Sequence, residues 1–434
     1  MALRVLTIYH AGRDPQHRER ERALSAAGVE LTLVVPQAWP EAGADRDLTP
    51  ESFTTIELSI NRPGDVNRHT YADRKGLRRL LEELAPDVLD IHEEPYSLVA
   101  RQWLSLAASE IPVVMYTGQN IDKRYPPPFA SYERTALGRA SGLYPCCNQA
   151  AAVARGKGFA GVVSVLPLGY DPAVFRPGEQ TLESDELTLM LAGRFVPEKG
   201  IIDAVRVLAR VNASRPARLV LVGEGPMAEP ARRVAASLGV GDRLSLTAWQ
   251  PEAELAELYR SAHVLLIPSS ATHTWVEQFG RVITEAQACG AVVAGYASGA
   301  IPEVAGDAGL LVTTGAAEEL ATAVVTLLAD PDEWVRRRRL GRGQAAPRTW
   351  AAVADGHRAL YEAVQDRPGR LTLPRSPRAR RALAVSEFGA PAEALGGRRP
   401  FALPLLRRGG RLSRAVGALI DAGATARAIL RPPR

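Results

Sequence analysis

Short apolar runs that alternate with amphipathic stretches constrain this chain more than any other feature. Leu3 to Tyr9, Leu31 to Val35, Val88 to His92, Val113 to Tyr116 and Val162 to Leu166 are strand-like, and helical periodicity fills intervals such as 71–84 and 96–108. A second series follows the same rule: Leu187 to Ala192, Arg218 to Val222, Leu244 to Leu246, Val264 to Ile267 and Ala291 to Gly295. Runs that are apolar on both faces belong in parallel sheets covered by helices. Between the two series, LGYDPAVFRPGEQTLESDE (168–186) is rich in Pro, Gly and acids and lacks an apolar period, which predicts a linker. The expected architecture is α/β, with two Rossmann-like doubly wound parallel-sheet domains (1–170 and 187–350) facing a cleft and joined by 171–186. Trp350 to Val364 predicts a closing helix within 351–366 that packs on the body, and 367–434 is left as a tail. Open α/β sheets bind ligands outside the carboxyl ends of their strands, so chemistry is sought there.

The 434 residues, 46% of them hydrophobic, suffice for two cores. Charge is unevenly spread. Residues 367–434 hold 15 Arg, no Lys and three acids, a net +12, which against a whole-chain +5 leaves −7 on residues 1–366. An acidic body without an aromatic and basic surface signature argues against nucleic acid as a partner. The RRRR run at 336–339 reads as a solvated helix face. From Arg408 the tail places Leu412, Val416, Leu419, Ile420, Ile429 and Leu430 at near-helical spacing with arginines at both ends. Such a segment either lies peripherally on an anionic membrane or remains a disordered appendage, and the Pro-, Gly- and Arg-rich stretch 367–407 favours the second.

Cys146, Cys147 and Cys289 have neither CxxC nor His spacing, so they read as small buried residues rather than as a disulfide framework or zinc site. No stretch approaches the roughly 20 apolar residues that span a bilayer. MALRVLTIYHAGRDP reads as a strand rather than a secretory signal. The expected location is the cytoplasm, at most peripheral on the inner face of a membrane.

Two stretches of the second series carry chemistry. AGRFVPEKG (192–200) follows its first strand and opens a helix, setting the planar fork of Arg194 and the mobile charge of Lys199 at the sheet edge, where a diphosphate would suit both. An isolated pair of this spacing is as readily a solvated helix start. VEQFGRVITEAQACG (276–290) places Glu277 and Glu285 around a Phe-Gly-Arg step where a loop becomes a helix. Gly280 permits close backbone approach, and the amides of Gly280 and Arg281 with the helix dipole favour an anion. Glu285 can accept two hydrogen bonds from a diol, and Glu277 lies on the other side of the anion. Ribose, diphosphate and hexose, the parts of a nucleotide-sugar, match that outline.

GRFVPEKG, LVGEGP, a PS-containing loop before E-x7-E, and SGAIPEVAGDAGLLV stand in this order, and LPLGYDPAVFRP (166–177) precedes them. On these motifs the chain resembles the family-4 retaining GT-B glycosyltransferases, over roughly residues 1–365 and most strongly in the C-terminal half. The resemblance implies a donor domain in the second half. Arg194 and Lys199 would hold the diphosphate, Glu277 the transferred sugar and Glu285 the ribose, with Phe279, Gly280 and Arg281 offering backbone amides. Val222 and Gly223 would lie near the base, and Gly12 would stand for the glycine-rich loop usual after the first strand. The first half would hold the acceptor. There the sequence departs from the family, because Gln119 or Asn120 stands where many members place a histidine. His92, ending the strand of DVLDIHEEPY, becomes the better cleft histidine, although a structural role suits it as well. His10, His273, Lys123, Arg124 and Tyr125 are weaker candidates.

The expected reaction is transfer of a hexose from a UDP- or GDP-sugar to a hydroxyl of a sugar, glycolipid or small molecule. Arg194, Lys199 and the helix start would stabilise the leaving diphosphate, so no metal or other cofactor is required. Asp45-Arg46-Asp47, the triplet weighed as a metal motif, lies in a Gly- and Pro-flanked loop rather than at a strand end. A sugar phosphorylase or sugar-nucleotide epimerase would reuse the same cleft, and a membrane-associated nucleotide-sugar-binding scaffold without turnover is the alternative from another class.

Overall fold

The computed structural model describes residues 2–40, 50–272, 274–366 and 370–390. Asp45-Arg46-Asp47, His273 and the whole segment 391–434, which includes the amphipathic stretch from Arg408, lie outside the described residues. The chain forms two compact units: one runs to Gly169 and resumes at Trp350, and the other spans Tyr170–Thr349.

The first unit contains a parallel sheet of β1 (Arg4–Ile8), β2 (Glu30–Pro36), β3 (Thr54–Leu58), β4 (Val88–Ile91), β5 (Val113–Thr117), β6 (Gly142–Pro145) and β7 (Val162–Val163). Its order is β3-β2-β1-β4-β5-β6-β7, with Val5 of β1 in register with Leu31 on one side and Val88 on the other. The order reverses direction at β1 and β4, and that switch point is where a doubly wound sheet opens a crevice beyond its strands. Leu6, Ile8, Leu89, Ile91 and Met115 are buried on one face with Trp103, and Val5, Leu31, Leu33 and Val114 on the other.

The helix Trp350–Gln365 covers that second face. It comes close because Gly142 has no side chain: a Cβ there would lie 3.0 Å from Leu360 and from Val364. Burying an aliphatic side chain of this size contributes roughly 1.5–3 kcal/mol, so Leu360 and Val364 alone tie the returning chain to the first unit.

The second unit repeats the plan with β8 (Leu187–Ala192), β9 (Ala217–Val222), β10 (Leu244–Thr247), β11 (Val264–Ile267), β12 (Val292–Tyr296) and β13 (Leu310–Val312). All are parallel in the order β10-β9-β8-β11-β12-β13, with the switch point at β8 and β11.

Several expectations change. Strands β3, β6 and β13 were not anticipated, and the run Val162–Leu166 pairs only at Val162–Val163. The periodic interval 71–84 is helical from Arg74 to Leu84, where the Asp73 carboxylate caps the Lys75 and Gly76 amides. The stretch 168–186 has no regular element, yet Tyr170, Phe175 and Leu182 are buried and Gly178 donates to the Cys289 carbonyl, so from Tyr170 onward it packs on the second unit.

The arginine run 336–339 is not uniformly solvated. Arg338 donates to the carbonyls of Gly290, Gln180 and Gly178 and lies over the Trp334 ring. Residues 370–390 also depart from a disordered appendage. Pro377–Phe388 is a helix that packs Ala384 on Ala152 and Val153, and Glu387 of that helix pairs with Arg155 at 2.9 Å. Arg155 is itself buried and already donates to the Phe159 and Gly161 carbonyls, so Glu387 adds an acid to a guanidinium that the backbone holds. The three cysteines are buried and form no disulfide among the described residues. No helix among the described residues is long and apolar enough to cross a membrane.

Candidate functional site

In the second unit, two loops leave the carboxyl ends of β8 and β9 and strap each other. Gly193 donates to the Val222 carbonyl, Phe195 to the Glu224 carbonyl, and Met227 back to the Phe195 carbonyl. Such close crossing requires glycine at 223, which sits at φ +135°, where a Cβ would lie 2.1 Å from the Gly193 oxygen. The strap fixes the backbone on either side of Arg194. Its side chain is exposed and has no side-chain partner among the described residues. Val222 and Phe279, both proposed from sequence near the donor, are buried side chains, so they can act there only through their backbone.

Lys199 and Glu277, 78 residues apart, meet directly: Nζ lies 2.6 Å from Oε2. The ammonium is also 5.1 Å from the Trp275 ring centroid, a cation–π contact that helps hold it when the carboxylate is engaged elsewhere. The Ser269 hydroxyl donates to the same Glu277 oxygen at 3.4 Å. Backbone contacts set both loops: Ser270 donates to the Glu198 carbonyl and Ala300 to the Glu277 carbonyl. The helix Arg281–Cys289 begins immediately beyond, with Gly280 as its N-cap at φ +79°, ψ +64°. Gly280 has no side chain to cap the first turn, and the positive end of the helix dipole lies at this corner.

Glu285 is buried within that helix. Arg281 Nε pairs with Oε1 at 2.7 Å, and the Tyr259 hydroxyl donates to Oε2 at 3.3 Å. Burial raises its carboxyl above the ordinary range, against the pull of Arg281. Arg281 also reaches Glu252, the first residue of the helix Glu252–Ser261, at 3.2 Å, so its guanidinium links the two helices. Tyr259 was not foreseen as a partner of Glu285, since nothing local in the sequence links positions 26 residues apart.

In the first unit, the sequence candidates lie beyond β1, β4 and β5. His92 stacks on Tyr116 (4.5 Å, 11° between planes), touches Tyr9, and its Nδ1 lies 3.2 Å from the Tyr144 hydroxyl, whose own proton goes to Asp90. Burial and then the Arg20 charge hold its pKa well below the ordinary value. Half-buried at the sheet end, it is held neutral among these rings. Gln119 accepts from the Tyr125 hydroxyl, and Asn120 donates to Gln149 Oε1 at 3.1 Å. Lys123 lies near these groups, with burial lowering its pKa. Gly12 is buried in a short turn, and its carbonyl accepts from Arg18 Nε at 2.6 Å.

The consecutive acids after His92 were passed over. Glu93 receives the His10 amide and His10 Nδ1, while Glu94 receives the Thr117 hydroxyl and the Gly118 amide, and burial pushes its pKa up to about 7. Their signal was two adjacent carboxylates at the end of an apolar strand. Beneath them a buried network joins Arg20, Glu21, Asp90, Tyr144, Tyr361 and His357. Arg20 lies 2.6 Å from Glu21 and 3.2 Å from Asp90, and Tyr361 donates to Asp90 at 2.8 Å. His357, 3.5 Å from Arg20, is pushed down to about 3 by burial, with the guanidinium charge acting in the same direction.

Two doubly wound units, the second carrying cations and an open helix start at its switch point, define a protein of GT-B architecture. Residues 176–344 match the family model "Glycosyl transferases group 1", and residues 19–174 match "Glycosyltransferase Family 4". The chain belongs to the group 1, family 4 glycosyltransferases. It is similar to a D-inositol 3-phosphate glycosyltransferase of Segniliparus rotundus, with 34% identity over 216 residues, 46% of this chain and 47% of that protein. It is also similar to an MMP alpha-(1->4)-mannosyltransferase of Mycolicibacterium hassiacum, 33% identical over 202 residues, 46% of this chain and 47% of that one. The chain spans about half the length of these curated relatives. Among solved structures, a sucrose-phosphate synthase from Thermosynechococcus elongatus superposes with TM-score 0.66 at 21% identity, over 84% of this chain and 100% of that one, a likeness of fold alone.

Proposed function

We propose that the chain transfers a hexose from a nucleoside-diphosphate sugar, with a UDP- or GDP-sugar as donor, to a hydroxyl of a sugar, glycolipid or small-molecule acceptor, with retention of anomeric configuration. The observation that carries this reading is the Lys199–Glu277 pair at 2.6 Å beside the uncapped helix start at Gly280, within one unit. Breaking the anomeric bond leaves positive charge on the sugar and drives negative charge onto the diphosphate. Preset cations and amides at the leaving group lower that barrier without reorganising. Lys199 and Arg194 supply the cations and the helix start the dipole, so the diphosphate needs no metal in this proposal. Glu277, already held by Lys199 and Ser269, exchanges those contacts for sugar hydroxyls when the donor enters. Glu285, with both oxygens positioned by Arg281 and Tyr259, keeps lone pairs for the ribose diol.

One curated relative is named for D-inositol 3-phosphate, a phosphorylated polyol, which supports a hydroxyl acceptor of that kind. A peripheral membrane contact through the basic tail 367–434 belongs to the same proposal, as does the absence of a nucleic-acid partner. A panel of nucleotide-sugars tested for thermal stabilisation, followed by NMR of the product's anomeric proton, tests the reading. The expected result is stabilisation by one donor class and a product of the donor's own anomeric configuration. Turnover that requires inorganic phosphate and no nucleotide would point to a phosphorylase. Donor binding without turnover or hydrolysis would point to a scaffold. Full turnover by a Glu277→Ala variant would remove that residue from the mechanism.

A further inference from the structure

His10, His69 and Glu93 converge at the switch point of the first sheet although they lie on three separate segments. His10 follows β1, Glu93 follows β4, and His69 comes from the turn before the short strand Thr70–Tyr71. One ligand-type atom from each lies within 4.8 Å of the others. His10 Nδ1 straddles the Glu93 carboxylate at 2.7 and 2.8 Å, and His69 Nε2 is 3.9 Å from Glu93 Oε1.

His69 is fully buried, and its Nδ1 lies 3.1 Å from the Asp65 carbonyl, an acceptor only, so that nitrogen carries the ring proton. Nε2 therefore presents a lone pair toward Glu93, and it has no hydrogen-bond partner among the described residues. A buried imidazole nitrogen without a partner costs free energy unless something occupies it. The carboxylate cannot, since it too only accepts. A cation can.

We propose that His10, His69 and Glu93 form a binding site for one divalent transition-metal ion, with Zn2+ the best fit. Two neutral imidazoles and one carboxylate are a recognised set for Zn2+, and they leave a fourth position for water or a ligand oxygen. Bonds of about 2.1 Å in a tetrahedron set the ligand atoms about 3.4 Å apart. The 2.7 and 3.9 Å separations to Glu93 bracket that value and all three ligand atoms lie within 4.8 Å of one another, so shifts of about 1 Å close the site. The outer contacts are those that metal-binding histidines and carboxylates use to fix their orientation. Asp65 holds His69, the His10 amide holds Glu93 at 2.8 Å, and the Trp39 ring packs 4.6 Å from His10 and 5.1 Å from His69. His10 is the most open of the three, with 19% of its side chain exposed, which provides a path for the ion.

These three residues belong to the first unit and the diphosphate residues to the second, so the metal-free reading of donor cleavage and this proposal rest on different observations. The test uses the untagged full chain, stripped with a chelator and titrated with Zn2+ and with Co2+. The expected result is one equivalent bound, intense visible Co2+ absorption of the tetrahedral type, and affinity lowered at least about 100-fold by His69→Gln and by Glu93→Gln. X-ray absorption on the Zn2+-loaded wild-type chain must show a nitrogen and oxygen shell with imidazole scattering, which decides the matter even where a variant folds poorly. No stoichiometric binding, a sulfur shell, or binding that both variants leave intact overturns the proposal.

Discussion

At the switch point of the second sheet, the charged groups sit on loops that directly follow their own strands and face one another in mobile pairs. At that of the first sheet, they arrive from distant segments and are locked under aromatic rings. Lys199 and Glu277 keep part of their surface and can trade each other for a ligand, whereas Arg20, Asp90 and His357 are buried and bound to fixed partners. Under the proposed function this is a division: polar groups of the second unit act in turnover, and those beneath the first sheet's switch point hold the unit together. The buried network is no evidence of net stabilisation in itself, because desolvation offsets much of the attraction. Removing one member is another matter.

The largest effect is expected there. Asp90→Ala leaves Arg20 short of a buried partner and two tyrosine hydroxyls without their acceptor, and should lower unfolding free energy by about 3–5 kcal/mol in denaturant titration. A loss under 1 kcal/mol would break the comparison on the first-unit side. Next comes Arg194→Ala. Its side chain is exposed and partnerless, so stability should stay within about 0.5 kcal/mol, while turnover falls roughly 100-fold. Equal damage to both properties would break the comparison on the second-unit side.

A smaller effect sharpens it through pH. His357 titrates near 3 when folded against roughly 6.5 unfolded, so the unfolded chain binds the extra proton between those values. Stability is therefore full above about pH 6.5 and falls on acidification, by about 2 kcal/mol at pH 5. In His357→Gln that part of the slope should vanish, as the difference between the two proteins' unfolding free energies at pH 7.5 and 5 will show. The smallest effect is expected at the docked basic helix. Glu387 is partly exposed, and Glu387→Ala should cost less than about 1 kcal/mol by thermal melting. A larger loss would mean that the segment 370–390 is an integral part of the first unit rather than an attachment.

The second unit was the more legible because its site is local. Arg194 and Lys199 occupy one turn after β8, Glu277 to Glu285 one loop-to-helix corner, and each can be placed from apolar period and glycine position alone. In the first unit the same reasoning singled out His92, which is half-buried against Tyr116 and Tyr9, and passed over Glu93 and Glu94 beside it. Asp90 within an apolar run was a visible signal of a buried partner, but nothing near it named Arg20 or Tyr361. Strands β3 and β13 were missed for a related reason: TTIEL and LLV are only partly buried and short, so pairing with a neighbour makes them strands rather than their own pattern.

By itself the sequence determined the alternation of strands and helices, the two series, and the loops after β8 and β11 that hold the diphosphate candidates. These depend on the hydrophobic period and on backbone freedom at single glycines, both properties of neighbouring residues. Only the tertiary structure decided that Lys199 meets Glu277, that Glu285 rests on Tyr259, that Arg338 ties 178–180 to the second unit, and that His10, His69 and Glu93 share one buried corner. Those are long-range choices, set by which charged groups lose water together and must then find their partners in one another.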